Sequence, residues 1–349
     1  MMLSKIFGGS KRFPEERRVY AIGDVHGCAS ELTRLIAKLE IDRDTLVVFL
    51  GDYVDRGANS RAVIDQVIEL RSRCEVVALM GNHESMFIDF LEHPASSGAG
   101  LFILNGGAAT LANYDDGTGS FSLPQTHVEF LNSLKIFHET QSHFFVHAGV
   151  PLKKALKALD PVADREVCLW TRGPFLTSTE DWGKLIVHGH TPVKRAEIHP
   201  NRVNIDSACV FGGSLSAFDC SNGKIISVAR QPQAAQNELI YPKDNRNRIA
   251  VRFNGRMPVT AGLRGGARQA LETLNYNQFG LLLREIPGNK GNCFSMQDII
   301  DGVIGTDPQT RVEFIGQIVR VETRDSLVVY GVKLLKVTNG NGQWVDRPA

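Results

Sequence analysis

The chain has 349 residues, 43% hydrophobic and 22% charged, and its 39 Lys and Arg against 38 Asp and Glu leave a formal charge of +1. This balance excludes fibrous and intrinsically disordered classes, and it gives no global electrostatic case for nucleic acid or a membrane surface as a partner. The length suffices for one large domain and a second, smaller one.

The first stretch, MMLSKIFGGSKRFPEER, residues 1–17, reads as an amino-terminal extension. Its mixed charges fall where a secretory signal keeps an apolar core, and no apolar run is long enough to span a bilayer, so a cytoplasmic protein is expected. From Arg18 to about Leu91 strands alternate with helices: RVYAIG, then CASELTRLIAKLE, TLVVFL, NSRAVIDQVIELRSR, EVVALM and ESMFIDFLEH. That spacing predicts right-handed βαβ units and a parallel sheet. Residues 94–123 are rich in Gly, Ala, Ser and Asn and predict a flexible excursion over the surface. A helix is expected near 124–135, followed by strands in HFFVHAG and KLIVHGHTP, and by a β meander with turns at Gly212-Gly213 and Asn222-Gly223.

These segments define a catalytic domain over 18–231. Residues 232–246 are polar, contain two prolines and read as a linker. Beyond it, 247–349 alternates short β-like runs with Gly and Pro turns, which predicts a small, mostly β domain with one helix around 266–274. The six cysteines, at 28, 74, 168, 209, 220 and 293, show no CxxC spacing and are expected to be buried free thiols.

Five segments share one layout, an apolar strand running into Gly, Asp, His or Asn. They are AIGDVHG (Asp24, His26), LVVFLGDYVDRG (Asp52, Asp55, Arg56), ALMGNHE (Asn82, His83), FFVHAG (His147) and LIVHGHT (His188, His190). Carboxyl ends of strands are where an α/β protein places its ligands. A single such histidine is usually a core or surface residue, but recurrence at five strand ends argues against coincidence. Imidazole, carboxylate and amide oxygen together suit Mn, Fe, Ni or Zn better than Ca or Mg. With one bridging carboxylate, the set supplies two ions ~3.5 to 4 Å apart.

GDVHG, GDYVDRG, GNHE, HAG and HGHTP in this order resemble the signature of the PPP-type metallophosphoesterases, the family of Ser/Thr protein phosphatases, the lambda phage phosphatase and the symmetrical diadenosine tetraphosphatases. The likeness covers about residues 17–230. It implies an α/β metallophosphoesterase fold, a central β-sandwich flanked by helices. It further implies two divalent metal ions, Mn first with Fe, Ni or Zn as alternatives, and a bridging hydroxide that attacks phosphorus in line. By matching motif, Asp24, His26 and Asp52 hold the first ion, Asp52 bridges, and Asn82, His147 and His190 hold the second. His188 is the weaker member of its pair. His83 would protonate the leaving oxygen, with Asp55 holding its imidazole charged and oriented. Arg56, and Arg172 of LWTRGPF, would grip phosphate.

The resemblance admits two substrates. A phosphoprotein is favoured, because 94–123 offers only Phe102, Tyr114 and Phe121 and no evident base-stacking platform. A symmetrical dinucleoside polyphosphate hydrolase is the alternative. A catalytically silent phosphoprotein- or nucleotide-binding module is disfavoured, since every ligand and the general acid are kept. At the carboxyl end, MQDIIDGVIG and TRVEFIGQIVRVETRDSLVVYGVKLL resemble the close of a PilZ domain, a small barrel that elsewhere binds cyclic di-GMP. Ile300 and Val303 stand where that pattern has Ser and Gly, and Arg248 and Arg252 only imitate its arginine pair. A structural or protein-docking barrel is therefore expected, with cyclic di-GMP as the minor alternative.

Overall fold

A computed structural model describes residues 17–93, 102–115 and 121–231, and, further on, 253–254, 258–263, 266–277, 280–286, 294–304, 312–324, 327–338 and 344–346. Residues 1–16, the linker at 232–246, and Arg248 and Arg252 lie outside the described residues. Contacts divide the chain into two compact units, residues 1–85 with 121–238, and 86–120 with 239–349.

Strands β1 (Val19–Ile22), β2 (Leu46–Phe49), β3 (Glu75–Ala78), β4 (Phe137–Glu139), β5 (His143–Val146), β6 (Leu185–His188), β7 (Glu197–Ile198), β8 (Arg202–Asn204), β9 (Ser214–Asp219) and β10 (Lys224–Ala229) build the first unit. They form two five-stranded sheets, in the orders β10-β9-β1-β2-β3 and β4-β5-β6-β8-β7. Side chains alternate across each strand. Val19 and Ala21 of β1, Leu46 and Val48 of β2, Leu185 and Val187 of β6 and Phe218 of β9 therefore join one dry core. This is the sandwich that the family resemblance implies.

The parallel pairing expected from βαβ alternation holds for β1-β2-β3, with Val19 opposite Leu46 and Leu46 opposite Glu75, and recurs for β5-β6-β8 in the second sheet. In contrast, β9 runs antiparallel to both β1 and β10. The β9–β10 pairing follows from the Asn222-Gly223 turn. Asp219 accepts from the backbone N–H groups of Ser221 and Gly223, and Gly223 takes φ 71°, so the chain reverses into a hairpin. In the second sheet β4 and β7 are antiparallel to their neighbours. Helix Ala29–Ile36 buries Leu32, Leu35 and Ile36, and helix Ser60–Leu70 buries Val63, Ile64, Val67 and Leu70, the spacing of an amphipathic helix.

Two further expectations are corrected. Within 94–123, residues 102–115 are not an open excursion: Ile103–Gly107 and Ala108–Ala112 are helical, and Phe102 is fully buried, stacked 5.2 Å from Phe87. The aromatic side chains overcome the Gly-rich composition by burying their area. Around 266–274 the chain is strand, not helix. The helix-forming residues of RQALETL are overridden by cross-strand pairing on both sides.

In the second unit, β11 (Phe253–Asn254), β12 (Pro258–Leu263), β13 (Gln269–Asn277), β14 (Gly280–Glu285), β15 (Ile299–Ile304), β16 (Val312–Arg324), β17 (Leu327–Thr338) and β18 (Trp344–Asp346) are antiparallel. The pairing β13-β12-β15-β16-β17-β14 returns to β13 and closes a ring. Its interior holds Ile300, Phe314, Ile318 and Tyr330, whose hydroxyl donates to Glu285 at 2.8 Å. The Asp298 carboxylate accepts from the Ser295 backbone N–H at 2.7 Å.

Candidate metal centre

Asp24, His26, Asp52, Asp55, Arg56, His147 and His190 lie in the loops after β1, β2, β5 and β6, while Asn82 and His83 open the helix Asn82–Glu92 after β3, His188 ends β6 and Arg172 caps the short helix Gly173–Leu176. Their backbone is unusual: His26, Asp52, Asp55, Arg56 and His190 all have φ between 43° and 72°. Non-glycine residues avoid this region unless the surroundings over-determine it, and such strain gathers at functional sites. Glu84 supplies much of the restraint. Its buried carboxylate accepts from the backbone N–H groups of Asp52, Tyr53, Val54 and Gly81 at 2.8 to 3.1 Å, tying the GDYVD turn to the GNHE turn. Burial, with Asp52 adding to it, raises the Glu84 carboxyl to about 8.

Asp52 lies at the middle. Its Oδ2 is 3.3 Å from His26 Nε2 and its Oδ1 is 3.5 Å from His147 Nε2. The other ring nitrogens are committed, His26 Nδ1 donating to the Val54 carbonyl at 2.7 Å and His147 Nδ1 to that of Leu50 at 2.9 Å. Both Nε2 lone pairs therefore face inward, the arrangement that outer hydrogen bonds impose on metal-binding histidines. Asn82 Oδ1 and His190 Nδ1 complete one side: Asn82 Oδ1 is 2.9 Å from His147 Nε2 and 3.0 Å from His190 Nδ1. Electron-pair atoms of two imidazoles and an amide converge there, a donor set that fits a borderline divalent cation. Candidate ligand atoms fall into two groups, His26 with Asp52 and His83, and Asp52 with His147 and His190, each within 4.8 Å.

Asp24 stands slightly apart. Its carboxylate accepts from the His190 backbone N–H at 3.1 Å and 3.2 Å. Burial, then Asp206 and Asp52, push its pKa well above the ordinary carboxylate value. Burial also works against the charge on Asp52, yet His147, His83 and His26 hold that carboxyl well below the usual range. Gly189 makes the approach to Asp24 possible, because a Cβ there would lie 2.0 Å from Asp24 Oδ1. Gly189→Ala should therefore displace the carboxylate and weaken divalent-metal binding by about 10- to 100-fold, the size of losses from disturbed supporting groups. Calorimetric titration with Mn checks this, and unchanged affinity would remove Asp24 from the centre.

His83 Nδ1 meets Asp55 Oδ2 at 2.6 Å, with both side chains buried. Burial first, and the Arg56 guanidinium second, push the His83 pKa well below its ordinary value. The Asp55 contact fixes the orientation of this imidazole. Arg56 reaches His26 Nε2 at 2.7 Å and lies 5.5 Å from the centre of the Phe211 ring. Arg172 is brought near the same charges, its pKa lowered to about 10 by burial and by Arg56, against the pull of Asp52 and Asp206. His188 is buried against Phe175 with Nε2 lacking a partner among the described residues, and burial lowers its pKa to about 3, so it stays neutral.

Two residues at the site escaped the sequence reading. Asp206 is a further buried carboxylate acting on Asp24, raised to about 6 chiefly by burial, and it comes after β8 in the same strand-then-acid layout as the five motifs. Phe211 is 44% exposed, and no sequence pattern marks it out.

Comparison with known proteins identifies the family. The family model described as calcineurin-like phosphoesterase matches residues 17–215. The asymmetrical bis(5'-nucleosyl)-tetraphosphatase PrpE of Oceanobacillus iheyensis is 29% identical over 247 residues, covering 63% of this chain and 95% of that protein. Serine/threonine-protein phosphatase 1 of Salmonella typhimurium is 30% identical over 210 residues, covering 57% of this chain and 90% of that protein. Among solved structures, a cold-active protein-tyrosine phosphatase of Shewanella matches with a TM-score of 0.44 and 19% identity, over 64% of this chain and 85% of that one. The chain belongs to the calcineurin-like phosphoesterases, and it is a metal-dependent phosphoester hydrolase.

Proposed function

We propose that this chain hydrolyses phosphate esters at a dinuclear centre, with phosphoserine and phosphothreonine proteins as its first substrate class. The observation that carries the reading is the Asp52 carboxylate, whose two oxygens face two different groups of imidazole nitrogens. Asp24, His26 and Asp52 would hold one ion, and Asp52, Asn82, His147 and His190 the other, with Mn the first candidate. When bound, the pair would supply Lewis acidity and bring the pKa of a water between them toward neutrality. Arg56 and Arg172 receive the phosphoryl oxygens, where charge spreads in the transition state. His83 delivers a proton to the leaving oxygen, its ring turned to that task by Asp55. The buried side chains exclude bulk water from these contacts, which strengthens each of them.

The Salmonella relative's name supports the phosphoprotein reading. A second reading, hydrolysis of dinucleoside polyphosphates, is favoured by Phe211, which is exposed beside the phosphate-facing Arg56 and able to stack a base. The test offers the Mn-loaded protein a phosphoserine peptide and diadenosine tetraphosphate in parallel, each with a chelated control. Phosphate released from the peptide supports the first reading. Two ADP, or ATP with AMP, would identify a symmetrical or asymmetrical nucleotide hydrolase. Phe211→Ala sharpens the choice: loss of a stacked base should raise KM for the nucleotide by about 5- to 150-fold, since stacking contributes ~1 to 3 kcal/mol, and leave the peptide unchanged.

The domain limits support one more expectation. A chain ending at Gln231 should be soluble and keep its hydrolase activity, because the elements bearing the centre all precede that residue. An insoluble product would mean that the remainder completes the core.

A further inference from the structure

Apart from the metal-facing groups, the first unit holds a second cluster of reactive side chains. The sulfurs of Cys28 and Cys209 and a Glu31 carboxylate oxygen all lie within 4.8 Å of one another. Both residues are buried, at 3% and 2% exposure. A metal ion is a poor occupant. Arg230 Nη1 donates to the Cys28 sulfur and Arg34 Nη2 to Glu31, so two guanidinium groups already occupy the cation's place. Arg230 is itself only partly buried.

The two cysteines tie together the two stretches that frame the phosphate end of the site. Cys28 comes directly after His26 and Gly27, its thiol contacts the His26 carbonyl at 3.6 Å, and it precedes helix Ala29–Ile36. Cys209 opens the turn Cys209–Phe211, after Ala208 in the left-handed region at φ 59°. That turn carries Phe211 to its place over Arg56.

We propose that Cys28 and Cys209 are a modification site, closing to a disulfide under peroxide and slowing hydrolysis reversibly. One sulfur attacks the peroxide O–O bond, giving a sulfenic acid and water. The second sulfur then displaces hydroxide from the first, and the hydroxide leaves as water with the remaining thiol proton. Two thiols and one hydrogen peroxide thus become one disulfide and two waters. A disulfide needs ~2.05 Å between sulfurs, closer than these two free thiols stand, so one stretch must move toward the other. Gly27 has no slack, since even a Cβ on it would meet Gly57 backbone at 2.8 Å. The displacement therefore falls on the turn bearing Phe211 and, through it, on Arg56. Loss of alignment at a phosphate-binding group on this scale slows turnover by about 10- to 100-fold.

The test treats the full-length, Mn-loaded protein with millimolar hydrogen peroxide, blocks free thiols and maps peptides without reduction. The expected result is a Cys28–Cys209 bridged peptide, two hydrogens lighter than its parts, forming in step with the loss of rate, and both reversing with dithiothreitol. Cys209→Ala should neither bridge nor slow, and Cys28→Ala serves if that variant does not fold. No bridged peptide, a bridge to another cysteine, a bridge without loss of rate, or equal slowing of the Ala variant would each overturn the proposal.

Discussion

Asp52→Asn is expected to lower turnover by about 10³-fold or more, the scale of losing organised charge stabilisation at a metal site. Bound metal should fall with it, toward one ion per chain or none, by elemental analysis of protein purified in Mn. The substitution keeps size and shape, and it keeps an oxygen for the His83 backbone N–H that Asp52 Oδ1 now receives at 3.2 Å. What it cannot keep is two acceptors. An amide must aim an NH₂ at either His26 Nε2 or His147 Nε2, the two atoms that face the present carboxylate oxygens. One side of the centre is thus left with a donor where it needs an electron pair. A variant that retained both ions and full rate would sink the shared-carboxylate arrangement, whatever the substrate.

His83→Asn should behave differently. With its metals retained, the variant should lose about 10²- to 10⁴-fold in rate, the range for removing a general acid. The loss should be largest on an alkyl phosphate and smallest on p-nitrophenyl phosphate, whose leaving oxygen needs no proton. The pH profile gives an independent check. An acid works only while protonated, and burial together with Arg56 moves the His83 pKa downward. Wild-type kcat should consequently fall as pH rises through that group's titration, and this descending limb should vanish in the variant. Full rate with a poor leaving group would end the acid assignment. Asp55→Asn provides the companion: it leaves the imidazole in place but removes the 2.6 Å contact that orients it.

Much of the centre was legible because the chemistry repeats. Each of five apolar strands ends in a short polar motif, and a strand buried on both faces has little choice but to present its next few residues at the sheet edge. The pairing pattern was less legible. Nothing in SLSAFD says that it will lie beside VYAI; that long-range pairing goes with the apolar face that β9 and β1 share in the core. The strand Gln269–Asn277 was hidden for a related reason, as its Ala, Leu and Glu favour helix locally while its neighbours in the ring favour extension. Asp206 could have been found by the same strand-end rule, but Phe211 could not, because its role depends on a distance to Arg56 that no local pattern encodes.

The central place of β1 shapes how the molecule is made. Tyr20 pairs with Asp219, so once β1 has left the ribosome it waits for almost two hundred further residues before its second edge is covered. At about 5 to 20 residues per second that wait is ~10 to 40 s. His147 and His190 arrive late in the same interval, so ion capture in the final geometry waits for both. Long-range closure of this kind folds slowly and leaves an open strand edge in the meantime. Nascent chains of this protein should accordingly depend on holding chaperones more than their final stability would suggest.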